Sequence, residues 1–181
     1  MQIMLKPKSA RELLGWVVIL LGVGSLQLPG LGRMAQHAVS IMQLEMMRTT
    51  PGATRLLDQL GNDGIGGARQ QLYVDFFFLV AYAVVLSTAC VMLARRAGAG
   101  WVAGAGPIFG RLAVVAAACD AVENIALLVV LGNHPGQPWP GLATGFATVK
   151  FALLGLVAAY LVLGGVATIR REHNRASAAQ D

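Results

Sequence analysis

Four long apolar runs, separated by polar and glycine-rich segments, organise the chain. The runs cover residues 13–31, 76–94, 112–131 and 151–169. Because an α-helix rises 1.5 Å per residue, about 20 apolar residues cross the roughly 30 Å hydrocarbon core of a bilayer. The pattern therefore predicts four membrane spans, at 13–31, 73–94, 110–132 and 141–169.

Composition supports a membrane location. Of the 181 residues, 56% are hydrophobic and only 13% are charged, and the mean hydropathy is +0.62. Charged residues make up about a quarter of a typical soluble domain. We expect a single all-α integral membrane domain: a four-helix bundle with a short helical extracytoplasmic segment, residues 32–72, between the first and second spans.

The first apolar run has a second interpretation. Lys6, Lys8 and Arg11 precede it, as basic residues precede the apolar core of a signal peptide. However, no A-x-A cleavage site follows, and the Pro29-Gly30 pair is typical of a turn at a membrane exit. We favour a retained anchor over a signal peptide.

Basic residues concentrate on one side of the predicted spans: Lys6, Lys8, Arg11, Arg95, Arg96, Arg111, Arg170, Arg171 and Arg175. The segment at 32–72 carries four arginines, but it is long and also contains three acids: Glu45, Asp58 and Asp63. The turn at 132–140 has no Lys or Arg. The positive-inside rule then places both termini, and the tail at 170–181, in the cytoplasm. We interpret the net charge of +5 as a topology signal and an attraction to anionic membrane lipids. No basic-aromatic patch indicates nucleic-acid binding.

Two short helices are predicted in the segment between the first two spans. One covers 34–48, and the other begins at the capping pair Thr50-Pro51 and ends before Gly61. Its leucines, Leu56, Leu57 and Leu60, are expected either to rest on the bilayer interface or to roof the bundle. The glycine-rich stretch at 62–67 predicts a flexible hinge.

Polar residues interrupt the third apolar run on a single helical face. At 100° per residue, Asp120, Glu123 and Asn124 share that face with a row of small or apolar residues: Ala113, Ala116, Ala117 and Leu131. Alanines permit close helix approach, so the polar groups are expected to point into the bundle, with Asn124 donating a hydrogen bond to one of the two acids.

The neighbouring spans supply further polar groups. Asp75 and Tyr82 lie seven residues apart on one stripe of the second span, and Lys150 interrupts the fourth. Residue counting puts Glu123 and Lys150 at a similar depth, about 12 to 14 Å below the outer surface. We predict an outward-opening cavity lined by Asp75, Glu123 and Lys150, with Asp120 at its floor.

Three acids and one lysine at this site suggest proton transfer. Like charges in a low dielectric cannot all ionise cheaply, so we expect Asp120, as the deepest acid, to hold a proton. We assign Asp120 and Glu123 as a catalytic acid-base pair and Asp75, Tyr82, Asn124 and Lys150 as ligand-binding residues. A polar network that only locks the helices together would use the same residues.

Other potential chemistry is weaker. Cys90 and Cys119 lack partners at metal-ligand spacing and are predicted to be packing residues. The three histidines form no metal or haem pattern, and the glycine-rich stretch at 98–106, placed in a cytoplasmic turn, lacks a nucleotide-binding order. We expect no cofactor and no metal.

Several ordered motifs carry a resemblance. They are E-M-M-R-T-T-P-G-A-T-R-L-L-D-Q-L-G from 45, L-Y-V-D-F-F-F-L-V-A-Y at 72–82, D-A-V-E-N at 120–124 and A-T-V-K-F at 147–151. The set resembles bacterial four-span membrane proteins of unassigned function, which implies the inner membrane but no reaction. A looser similarity, of architecture alone, links the chain to the sterol-isomerase and sigma-2-receptor superfamily.

Two functions remain open on the sequence. In the first, the acidic cavity binds or transforms a small amphipathic or lipid-like molecule. In the second, the protein is a structural or accessory subunit that contacts a partner membrane protein or a second copy of itself. A proton-coupled transporter is a poorer third choice, because four spans form no inverted repeat.

Overall fold

The computed structural model describes residues 48–132 and 134–178, and this part of the chain contains α-helices and no strands. The helices are α1 (Thr50–Ala97), α2 (Trp101–Leu131) and α3 (Trp139–Ala178). All three are long and apolar enough to cross a membrane. The predicted span at 13–31 and nearly all of the predicted helix at 34–48 lie outside the described residues.

Helix α1 begins after an N-cap threonine and bends at a glycine. Thr49 is the N-cap, one residue earlier than predicted, and its side chain accepts a hydrogen bond from the Gly52 amide at 3.4 Å. Gly61 adopts φ 60° and ψ −178°, a conformation that side chains with a Cβ rarely tolerate. The predicted helix ending at Gly61 is confirmed. The predicted hinge at 62–67 is wrong, because those residues are helical and the break is confined to Gly61.

The first part of α1, residues 50–60, folds over the ends of the other helices. Ala53, Leu56 and Leu60 are buried in a cluster with α2 and α3 residues: Leu127, Val130, Leu131 and Ala143. Of the two predicted positions for these leucines, the structure therefore shows the roof over the bundle. A helix of this length is only marginally stable in isolation. Apolar contacts with the ends of α2 and α3 therefore stabilise residues 50–60.

Helix α2 starts nine residues before the predicted span, so the predicted glycine-rich turn at 98–106 shrinks to residues 98–100. Within the added turns, Gly106 packs closely against α1 and α3. A Cβ there would lie 2.7 Å from the Cys90 carbonyl oxygen and 2.9 Å from the Tyr160 hydroxyl. That hydroxyl donates to the Val102 carbonyl at 2.8 Å, and the Tyr160 ring stacks on Phe109.

Helix α2 is the central element of the described bundle. It packs against both α1 and α3, which touch each other over a much smaller area. A groove therefore runs between α1 and α3, with α2 as its floor. The end carrying the α2–α3 turn is called the turn end here, and the end carrying the α1–α2 turn is called the basic end, because Arg95, Arg96, Arg170 and Arg171 lie there.

Candidate functional site

Helix α2 presents its polar residues to the bundle interior. Glu123 is 0% exposed, Asn124 is 2% exposed and Asp120 is 4% exposed. Ile125, on the opposite side of the helix, is 51% exposed. The spacing of three and four residues places the polar groups on one side, as the helical periodicity predicts. The alanines predicted for this face, Ala113, Ala116 and Ala117, are buried with them.

Lys150 of α3 joins the two acids of α2. Its Nζ lies 2.9 Å from Asp120 Oδ1 and 2.7 Å from Glu123 Oε2. The same ammonium stands 4.7 Å from the centre of the Phe151 ring, within range of a cation–π interaction. The similar depth predicted for Lys150 and Glu123 agrees with this contact, and the structure adds Asp120 as a second partner of Lys150.

Helix α1 contacts both polar positions of α2. The Tyr82 hydroxyl donates to Asp120 Oδ2 at 2.9 Å, and Asn124 Nδ2 donates to Asp75 Oδ2 at 2.7 Å. Asp120 therefore accepts hydrogen bonds from α1 and α3 at once. Asn124 was expected to donate to Asp120 or Glu123, and its partner is instead Asp75 on the adjacent helix.

These residues lie along a groove of about 500 Å³ between α1 and α3. The polar lining residues lie toward the turn end, mixed there with Leu72, Phe78 and Phe151, and the lining toward the basic end is apolar. Its polar lining residues are Gln71, Asp75, Tyr82, Asp120, Asn124 and Lys150. Its apolar lining residues are Leu72, Phe78, Leu86, Phe151, Leu154, Ala158 and Leu161. This volume falls within the range of small-molecule sites, about 300 to 1,000 Å³.

The two acids exchange the positions predicted for them. Asp120 is in the groove wall, whereas Glu123 is not among the lining residues and lies behind Lys150. Residue counting gives the depth of each acid along the helix axis. It does not give the direction around the axis, so it could not predict which acid faces the gap between α1 and α3. Lys150, which contacts both acids, connects Glu123 to the groove.

Sequence reasoning missed eight of the groove-lining residues, and three of them show which signal was overlooked. Gln71 lies four residues before Asp75, Phe78 lies three after it, and Leu154 lies four after Lys150. Such spacings place residues on the same helical stripe, so extending each polar position by one turn would have identified them. Gln71 Oε1 is buried and has no hydrogen-bond partner among the described residues.

The cluster of Lys150, Asp120 and Glu123 is suited to holding a proton. With both carboxylates ionised, the three groups carry one net negative charge, and one bound proton makes them neutral. Like charges repel strongly in a low dielectric, so the excess negative charge is costly inside the bundle. Asp120 accepts hydrogen bonds from both Tyr82 and Lys150. That Asp120 carries the proton stays a prediction.

The described residues include no group of three His, Cys, Asp or Glu side chains that could hold a metal ion. Cys90 and Cys119 are both buried, in positions typical of small packing residues.

Comparison with known proteins gives no further assignment, because no family model, curated protein or solved structure matches this chain. The resemblance carried by the sequence motifs therefore stays a prediction.

Proposed function

We propose that this protein is a multi-pass membrane protein whose groove binds, or acts on, a small amphipathic or lipid-like molecule. The observation that carries the proposal is the division of one groove into a charged end and an apolar end. Asp75, Asp120 and Lys150 line the first, and Leu86, Leu154 and Leu161 line the second. An amphipathic molecule has the same division.

The cost of the charged residues supports this proposal. Charged groups inside a bilayer are expensive even when paired, and they typically mark a site of binding, transport or proton transfer. Here Lys150, Asp120 and Glu123 are all nearly inaccessible to solvent. In the proposed role Asp120 and Glu123 exchange a proton with the bound headgroup or bind its charge, Asn124 orients Asp75, and Lys150 balances the acids.

The positions of the arginines favour one orientation of the protein in the membrane. We propose a bacterial inner-membrane protein with four spans, residues 13–31 forming the first, and with both termini in the cytoplasm. The basic end carries Arg95, Arg96, Arg170 and Arg171 with a single nearby acid in the sequence, Glu172, whereas the described residues of the α2–α3 turn include no Lys or Arg. The turn end also carries Arg48, Arg55 and Arg69, but Asp58 and Asp63 partly offset their charge. This asymmetry favours a cytoplasmic basic end, so the polar part of the groove lies toward the extracytoplasmic side.

A structural or accessory role is the second candidate. The polar contacts of the cluster cross between helices, from α1 to α2 at Tyr82 and Asn124 and from α2 to α3 at Lys150. Hydrogen bonds between helices in a membrane contribute about 0.6 kcal/mol on average. A cluster that served only this purpose would hold the bundle for a partner protein, and the groove would have no ligand of its own.

Photolabelling separates the two candidates. The full-length protein is placed in vesicles of phosphatidylethanolamine and phosphatidylglycerol that contain a phospholipid with a diazirine on its acyl chain, and labelled peptides are mapped. We expect Ala158→Trp to reduce labelling at Leu86 and Leu154 several-fold, because the indole fills the groove. Ala159→Trp is the matched control, since Ala159 is exposed and is not among the groove-lining residues.

The proposal fails if the two tryptophan variants label alike, or if Leu154 labels no more strongly than Leu163, which is 62% exposed on the same helix. Either result would mean that the probe reports only bulk lipid around the bundle. The structural role would then be the better account of the polar cluster.

A further inference from the structure

We infer that the molecule in the groove has a positively charged amine headgroup, which lies against Asp75 and Phe78 of α1. This inference rests on the proposed function, because it names a class of ligand for the same groove. It depends on the excess of acids around the groove, on which polar groups a ligand can reach, and on how far those groups lie from the turn end.

Acids outnumber basic residues around the polar part of the groove. Asp75 and Asp120 line it, and Lys150 is the only Lys or Arg among the described lining residues. Glu123 lies behind Lys150. With the three carboxylates ionised, these four groups carry about two net negative charges, and one bound proton would leave one. A bound ammonium group would therefore be stabilised by Coulomb attraction in a low dielectric.

Lys150 is poorly placed to bind an anionic headgroup. Its Nζ lies 2.9 Å from Asp120 Oδ1 and 2.7 Å from Glu123 Oε2, and the residue is 7% exposed. The two carboxylates already compensate its charge, so an anion would have to compete with them inside the bundle. An amphiphile with a carboxylate or sulfate headgroup would thus meet an excess of like charge.

Asp75 is the acid that a molecule in the groove can reach most readily. It is half-buried, whereas Asp120 is 4% exposed and Glu123 is 0% exposed. Asn124 Nδ2 donates to Asp75 Oδ2 at 2.7 Å, which orients the carboxylate. An ionised carboxylate has about four acceptor sites, so Asp75 can accept from an ammonium group as well as from Asn124.

Phe78 and Gln71 flank Asp75 on the same stripe of α1. Phe78 lies one turn after Asp75 in the groove lining, and the face of an aromatic ring attracts an ammonium group. The groove already contains one such contact, between Lys150 Nζ and the Phe151 ring at 4.7 Å. Gln71 Oε1 is buried with no hydrogen-bond partner among the described residues. Rotation of the terminal amide, which is nearly free of steric preference, would turn this acceptor to a donor in the groove.

The distance of Asp75 from the turn end matches the position of a headgroup. Arg69 donates to the Leu131 carbonyl at the turn end, and Asp75 lies about 9 Å further along α1 by residue counting. From Asp75 to Leu86, in the apolar lining, α1 rises about another 16 Å. An amphiphile bound in this order has its ammonium group near the membrane surface and its chain directed toward the bilayer centre.

Photolabelling with two matched probes tests the charge of the ligand. The full-length protein is placed in phosphatidylglycerol vesicles with either an alkylamine or an alkanoate, both carrying the same diazirine-bearing chain. Labelling at Leu154 is divided by labelling at Leu163, which is 62% exposed on the same helix, so that membrane partitioning cancels. We expect this quotient to be several-fold higher for the amine than for the alkanoate.

Substitution of Asp75 tests the residue assigned to the headgroup. Asp75→Asn removes the charge but keeps an acceptor for Asn124, and the preference for the amine should fall about tenfold, the change expected from losing one charged hydrogen bond. Asp63→Asn is the matched control, because Asp63 is exposed on the same helix and is not among the groove-lining residues. Gln71→Glu adds a carboxylate one turn from Asp75 and should raise the preference, a gain that misfolding would not produce.

The amine assignment is overturned if the alkanoate labels Leu154 as strongly as the amine, or if Asp75→Asn and Gln71→Glu both leave the preference unchanged. Strong labelling of Leu154 by both probes would still support a ligand site. If neither probe labels Leu154 above Leu163, the assignment and the proposed function fail together.

Phosphatidylethanolamine added to the vesicles distinguishes two sources of the ammonium group. Competition with the amine probe at Leu154 would identify a phospholipid headgroup as the occupant. Undiminished labelling would identify a single-chain amine. Either result supports the ammonium class of ligand.

Discussion

Lys150 is the residue on which the charge balance of the cluster depends. Its ammonium lies within 3 Å of both Asp120 and Glu123, 2.9 Å from the first and 2.7 Å from the second. Removing one partner of a buried charge pair is far more costly than replacing the whole pair, because it leaves uncompensated charge. The energetic role of Lys150 can therefore be separated from that of the acids by combining substitutions.

We expect Lys150→Met to lower the free energy of unfolding in detergent micelles by about 3 kcal/mol or more. Adding Glu123→Gln should recover part of this loss, because only Asp120 then remains beside the methionine, with Tyr82 still donating to it. Arg170→Met, at an exposed position of the same helix, should change stability by about 0.5 kcal/mol or less. Simple addition of the two losses in the double variant would contradict the proposed coupling.

The sequence predicted which residues belong to the polar cluster better than it predicted which of them contact each other. Helical periodicity placed Asp120, Glu123 and Asn124 on one face, because that face depends only on the helical repeat. Pairing depends on how neighbouring helices rotate about their axes. That rotation is set by packing at positions such as Gly106, so the contact of Asn124 with Asp75 could not be read from either helix alone.

The helices are longer than the apolar runs that predicted them. The apolar runs at 76–94, 112–131 and 151–169 all lie inside helices, but α1, α2 and α3 each extend beyond them. Hydropathy reports the bilayer-thick part of a helix, whereas backbone hydrogen bonding continues until a cap or a glycine with positive φ ends it. At Gly98 φ is 68° and at Gly100 it is 88°, and these residues separate α1 from α2.

The contact of α1 with α2 depends on Gly106, which we expect to tolerate no side chain. Gly106→Ala would place a Cβ 2.7 Å from the Cys90 carbonyl oxygen, and overpacking of this kind costs about 1 to 3 kcal/mol. Gly104→Ala is the matched control in the same helix, because its Cβ would meet nothing within 4 Å. Thermal unfolding followed by circular dichroism should show a lower midpoint for Gly106→Ala and an equal or higher one for Gly104→Ala. Equal losses in the two variants would contradict the close-packing account.

The described part of the molecule has two chemically different ends. Four arginines lie at the basic end, where Arg171 also donates to the Ala99 carbonyl at 2.9 Å. At the turn end, residues 50–60 cover the helix ends with apolar side chains, and Arg69 donates to the Leu131 carbonyl at 2.5 Å. The proposed orientation makes the second end extracytoplasmic and directs the polar part of the groove to that side.

Cysteine labelling tests this orientation. Gly136→Cys lies at the turn end, where an added side chain meets nothing within 4 Å, and Arg96→Cys lies exposed at the basic end. A membrane-impermeant maleimide should label Gly136→Cys in intact spheroplasts and should label Arg96→Cys only after the membrane is permeabilised. The buried Cys90 and Cys119 should remain unlabelled in both. Labelling in the reverse order would require the opposite orientation.

Two buried tyrosines offer the most direct test of whether the polar cluster serves a ligand. Each hydroxyl donates between helices, Tyr82 to Asp120 at 2.9 Å and Tyr160 to the Val102 carbonyl at 2.8 Å, with the Cys90 carbonyl as a weaker second acceptor for Tyr160 at 3.4 Å. Of the two, Tyr82 lines the groove. Replacing either by phenylalanine should cost a similar amount of stability, about 1 kcal/mol.

The measurement is the yield of diazirine-phospholipid labelling at Leu154 in Tyr82→Phe and Tyr160→Phe, with thermal unfolding recorded on the same samples. We predict that labelling falls about two- to tenfold in Tyr82→Phe, the change expected from losing one hydrogen bond to the group that receives the ligand, and that it is unchanged in Tyr160→Phe. Equal labelling in the two variants, at matched stability, would contradict a ligand site and leave the cluster with a structural role.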